Sequence, residues 1–100
     1  MIKIDFTDLF IPSKDIVARE IGGELLIVPI VAGIGDLEDD LYTLEDTGKD
    51  IWSRLTGKDD LHQIINDLVD EYDASYEEIS ADVLGLIGEL LRRKIITKLN

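Results

Sequence analysis

The chain has 100 residues, enough for one small domain with its own core. It contains no cysteine, which excludes a disulfide framework and a thiolate zinc site. Ten basic and 22 acidic residues give a net charge of −12, a balance that repels a phosphate backbone and disfavours nucleic acid as a partner.

The charge is not confined to a tail, since residues 1–40 and 41–100 carry −6 each. The longest apolar run, Leu25 to Gly35, is interrupted by Pro29 and is too short to span a bilayer. No basic stretch followed by an apolar run opens the chain, so no signal peptide is expected. These features predict a soluble cytoplasmic protein without a membrane partner.

Residues 1–14 show no clear period and are expected to form an entry segment that packs over an edge or frays. Ile16 to Ile21 alternates as a strand, with Val17, Arg19 and Ile21 on one face. Gly22-Gly23 suits a tight primed turn, and Glu24 to Ile30 returns as the second strand. Pro29 cannot donate to a ladder and belongs near a strand end or on an edge. Val31 to Asp40 reads as a loop. Its acidic run, Asp36 to Asp40, lacks the alternating ligands, central Gly and distal Glu of a calcium loop.

Leu41 to Leu44 is the third predicted strand, with Tyr42 and Leu44 on one face. It runs directly into a helix over about Asp46 to Leu55. Glu45 and Asp46 supply acids at the helix start, and Gly57 is suited to ending the helix in a left-handed conformation. A second helix spans Leu61 to Tyr72. Asp60 and Gln63 cap it, and Leu61, Ile64, Ile65, Leu68, Val69 and Tyr72 keep one helical period. A third covers about Tyr76 to Arg93, with Ser75 as N-cap and Glu78 three residues on.

On this last helix Ile79, Val83, Leu86 and Leu90 form the expected core stripe. Leu84, Ile87 and Leu91 form a second apolar line about 100° round. Ala81, Gly85 and Gly88 follow as a line of small residues, for which a close neighbour is the usual reason. Arg92-Arg93-Lys94 complements the helix C-terminus, and Ile95 to Leu99 ends in a short strand or a packed tail. The apolar arc is wider than one core layer requires.

Catalytic groups do not assemble. His62 is the lone histidine and has no second His or Cys with which to share a metal, so a structural or exposed role is expected. Asp46-Thr47-Gly48 matches the aspartic-protease tripeptide, but those enzymes are all-β and here two strong helix patterns follow. A helix start with a small residue that lets strand and helix pack is the better reading. No enzyme activity, cofactor or metal is expected.

The segments 16–20 and 41–52, Leu55-Thr56-Gly57, and the closing run from Asp82 to Ile96 together resemble the PqqD family, over about residues 12–98. The resemblance implies an α+β fold and one domain over 1–100. That domain would be a winged helix-turn-helix, with an N-terminal three-stranded antiparallel sheet (16–44) followed by three helices (46–94). It further implies a recognition element that binds the leader of a ribosomally made precursor peptide and delivers it to a modifying enzyme, often of the radical-SAM type. The leader would add as a strand beside the third strand, at Leu41, Tyr42 and Thr43. The facing wall would be Leu84, Ile87 and Leu91. The alternatives are a regulatory or structural domain that forms a homodimer through the same edge, and a DNA-binding winged helix. The second would need a basic recognition helix that this chain lacks.

Overall fold

The computed structural model describes residues 3–30 and 42–99. In chain order the elements are β1 (Phe10–Pro12), β2 (Ile16–Ile21), β3 (Glu24–Pro29), β4 (Tyr42–Leu44), α1 (Asp46–Ser53), α2 (Leu61–Tyr72), α3 (Tyr76–Arg92) and β5 (Ile96–Lys98). The fold is α+β: an antiparallel sheet of order β2-β3-β4, three helices, and a small β1–β5 sheet. Leu41 and the acidic run 36–40, with the calcium reading rejected for it, lie outside the described residues.

The hairpin forms where the glycine pair requires it. Gly22 and Gly23 have φ of 59° and 86°, the left-handed values that close a two-residue primed turn. Ile21 then faces Glu24, and pairing runs back to Ile16 opposite Pro29. Pro29 therefore ends its strand. The third strand joins through Leu25↔Leu44, Leu26↔Thr43 and Ile27↔Tyr42. Paired residues point to the same face, so Leu25, Ile27, Tyr42 and Leu44 face the helices together. Ile27 and Leu44 are buried there. Val17, Ile21 and Thr43 lie on the opposite, exposed face.

The two chain ends meet each other. The tail forms a strand, and its partner is the opening segment: Phe10↔Lys98, Ile11↔Thr97, Pro12↔Ile96. Leu99 N–H to Leu9 C=O and Ser13 N–H to Ile95 C=O, both 2.8 Å, continue the pairing. Phe10 and Ile96 are buried beneath it. The entry segment is thus pinned, both by this ladder and by Phe6 C=O, which accepts the His62 N–H at 3.0 Å. That bond satisfies one of the donors that a helix start leaves unpaired.

α2 has the expected bounds, with the Asp60 carboxylate accepting the Gln63 N–H at 2.9 Å. Leu61, Ile64, Ile65 and Leu68 are fully buried, while Tyr72 at the end of the series is exposed. α3 is capped by Ser75 Oγ, which accepts the Glu78 N–H at 3.1 Å. Its core residues are Ile79, Val83, Ile87 and Leu90. Ile87 takes the buried place expected of Leu86, which is half-buried.

Gly48 on α1 allows the close strand–helix approach expected of it. A Cβ there would lie 3.2 Å from Leu44 Cδ2. The glycines of α3 do not follow that pattern. A Cβ at Gly85 would meet nothing within 4 Å, and one at Gly88 would make an ordinary 3.9 Å contact with Ile4 Cδ1. Among the described residues no helix is long and apolar enough to cross a membrane.

Candidate functional site

β4 ends the sheet. Among the described residues it pairs only with β3, so one side of its backbone ladder faces away from the protein's own strands. Such an edge presents N–H and C=O groups that another extended chain can pair with.

The Tyr42 side chain sits at this edge on the helix-facing side of the sheet, half-buried. The guanidinium of Arg93, the residue that caps α3, lies 4.6 Å from the centroid of the Tyr42 ring. This is a cation–π contact. Arg93 is held in turn by Glu89, with Nε 2.5 Å from Oε2, and Arg92 reaches the same oxygen at 2.6 Å.

The electrostatics follow from this packing. Hydrogen bonds from Arg92 and then Arg93 hold the Glu89 carboxyl below its ordinary pKa. Burial, and after it the nearby Glu89 charge, pushes the Tyr42 phenol above its usual value, with Arg93 and Arg92 opposing in part. Thr43 is exposed on the other face.

The Arg93 contact fixes which side of α3 meets the edge. At 100° per residue, Leu86 lies about 20° from Arg93 on the helix. Leu84 is about 180° away and Leu91 about 160°. The wall beside β4 therefore carries Leu86, Glu89 and Arg93. Leu84 and Leu91, expected to face the third strand, are half-buried on the far side of the helix, near the flank where Gly88 meets Ile4. Ile87 is 0% exposed and belongs to the core. Of the expected site residues, the structure brings Tyr42 and Thr43 to the edge, and Leu41 lies outside the described residues.

The periodicity of α3 could not show its rotation about its own axis. A usable signal was present in the spacing Leu86, Glu89, Arg93. It is an i, i+3, i+7 line that ends in a cation able to reach an aromatic residue.

The other candidate groups serve the fold. Asp46 is exposed and opens α1 with φ of 48°, and Gly48 packs against Leu44. His62 Nδ1 lies 3.0 Å from the Tyr76 hydroxyl. Among the described residues no group of three or more His, Asp or Glu is placed to hold a metal ion.

Comparison with known proteins adds two findings. In fold, the chain is similar to TbiB1, solved in complex with the TbiA(beta) leader peptide: TM-score 0.70 at 17% identity, over 86% of this chain and 93% of that one. No curated protein matches it in sequence. The family described as coenzyme PQQ synthesis protein D (PqqD) matches residues 34–96, a span that takes in β4 and all three helices. The chain belongs to the PqqD family.

Proposed function

We propose that this protein is a non-catalytic recognition element. It captures the leader of a ribosomally made precursor peptide as an extra strand beside β4 and presents it to a modifying enzyme. The single observation that carries this reading is the β4 edge, unpaired among the described residues on its outer side and bordered by Tyr42 beneath Arg93. Family membership supports it, and TbiB1, of the same fold, was itself solved with a leader peptide bound.

The mechanism needs no reactive side chain. An extended peptide gains main-chain hydrogen bonds along the edge, and its alternate side chains turn toward Tyr42 and Leu86 for selection. Once held, the rest of the precursor stays near the enzyme's active site at a raised effective concentration. The enzyme is of the radical-SAM type on this reading, and the encounter takes place in the cytoplasm, where the precursor is made.

Proline scanning of β4 tests the mode of binding. Along an antiparallel edge only alternate residues aim their N–H outward. Of Tyr42→Pro and Thr43→Pro, one removes a donor to the guest strand and the other a donor to β3. Titration of synthetic leaders from neighbouring reading frames, with circular dichroism as a folding check, should show one variant that stays helical but loses at least about tenfold in affinity. Two folded variants with unchanged affinity would contradict strand addition. A mass in solution that doubles without leader and halves with it would show that a second copy competes for the same edge.

A further inference from the structure

The side of the β2–β3 hairpin turned away from the helices is aliphatic. The register Val17↔Val28, Arg19↔Leu26 and Ile21↔Glu24 puts these three pairs on it together. Val17 and Ile21 are 36% and 58% exposed, and Leu26 and Val28 are only half-buried. The core does not use this surface. It lies on the other side of the sheet, where Ile27 is buried.

Arg19 stands at the centre of this face, with Leu26 opposite and Val17 and Ile21 on either side along β2. Among the described residues it has no hydrogen-bond or ion-pair partner. Other cations are engaged: Lys49 with Glu20, Arg54 with Asp50 and Glu71, Lys98 with Asp8. Glu24, the acid on the same face, is a diagonal neighbour at the turn. A guanidinium is weakly hydrated, and an arginine among exposed aliphatic side chains has the composition of an interface centre.

Charge, size and position say what covers the face. Arg19 calls for a carboxylate, and its surroundings call for aliphatic groups around that carboxylate. Six-residue strands, about 3.3 Å per residue and about 4.8 Å apart in a three-stranded sheet, give a face of roughly 20 by 10 Å. That is roughly 200 Å², against about 800 Å² from each partner in a stable pair. Two copies would also each bring a charge of −12. The face therefore suits a transient contact with another protein. Thr43, opposite Leu26, turns to the same side, so the surface continues to the strand where the leader is proposed to add.

Resting on the leader-adaptor reading, we propose that this outer face docks the peptide-modifying enzyme. The enzyme presents a carboxylate to Arg19 within an aliphatic surface that fits Val17, Ile21, Leu26 and Val28. A carrier needs a surface for its enzyme apart from the one that holds its cargo. A small one lets it leave after delivery, while the bound leader keeps the precursor at a raised effective concentration.

The test uses the full chain, synthetic leaders and the purified peptide-modifying enzymes of neighbouring reading frames. Arg19→Glu should weaken enzyme binding at least about tenfold, and Ile21→Thr several-fold. Both variants should keep their circular dichroism and their affinity for leader. Undiminished enzyme binding in the two folded variants, or no enzyme that binds the wild-type chain, overturns the docking face and leaves the leader reading standing. A wild-type chain that binds no leader overturns the reading beneath it. A doubled mass in solution that Arg19→Glu returns to that of one chain puts a second copy on this face and overturns the enzyme as its occupant.

Discussion

The guanidinium of Arg93 and the ring of Tyr42, 4.6 Å apart, tie the last turn of α3 to the strand β4. The contact makes the helix end and the edge strand one structural unit. It also leaves the Tyr42 phenol harder to ionise than a free tyrosine, through burial first and Glu89 second. A phenol whose folded pKa is raised contributes stability that is complete below its unfolded value of about 10 and is lost as pH rises through the folded value. Urea unfolding midpoints should therefore fall in that alkaline window, and Tyr42→Phe should flatten the fall. Tyr72, raised by its hydrogen bond to Asp50, calls for Tyr72→Phe as a parallel control. A Tyr42→Phe profile superimposable on the wild type would contradict the assignment.

Ile87 and Leu86 should separate stability from binding. Ile87 is fully buried, so Ile87→Ala should cost about 2–4 kcal/mol in urea unfolding. Leu86 is half-buried on the β4 side of α3. Leu86→Gln should leave the fold in place, cost less than about 1.5 kcal/mol, and weaken peptide binding several-fold. Equal losses of stability at the two positions would place the helix rotation elsewhere.

Gly57 is required for two reasons that a second glycine can separate. Its φ is 81°, and a Cβ there would lie 2.6 Å from Leu99 Cδ1 and 2.9 Å from Ile11 Cγ2. Gly22 has φ of 59° with open space around it. Gly22→Ala should cost about 1 kcal/mol from backbone strain alone. Gly57→Ala should cost about 1 kcal/mol more, tempered by Leu99, which is exposed and can move. Equal costs from thermal unfolding would show that the β1–β5 sheet yields freely.

Arg54 gathers three carboxylates where α1 meets α2. Its Nε lies 3.1 Å from Asp50, an Nη 3.7 Å from Asp67, and its other Nη is paired with Glu71. Tyr72 donates to Asp50 at 2.8 Å. Removing the cation leaves the three acids facing one another on a partly screened surface. Arg54→Met should therefore destabilise by about 1–2 kcal/mol. Asp67→Asn, which removes the longest contact, should change stability by less than about 0.5 kcal/mol. Chemical denaturation of both variants checks the order.

Local patterns were legible where one short segment decides its own structure. The Leu61 to Leu68 spacing set α2, Gly22-Gly23 set the hairpin, and Gly48 marked the close approach to Leu44. What stayed hidden depends on partners distant in sequence. Phe10 to Pro12 shows no alternation, and its strand exists because β5 pairs with it. Asp46 reads as an ordinary helix-start acid, yet it takes a left-handed backbone to turn the chain from β4 into α1. The rotation of α3 is set by how Ile87 fits the core. Six neighbouring apolar residues allow several rotations, so the spacing of Leu84, Ile87 and Leu91 could not say that Leu86, Glu89 and Arg93 share the side of the helix that reaches Tyr42.

The central claim is that the outer ladder of β4 receives a guest strand, and isotope-edited NMR of the complex with a bound leader tests it most directly. The account predicts cross-strand contacts between backbone protons of the peptide and those of Tyr42 and Thr43, with slowed amide exchange on alternate residues of both. A leader that binds tightly yet shows no backbone contact with those two residues would contradict it.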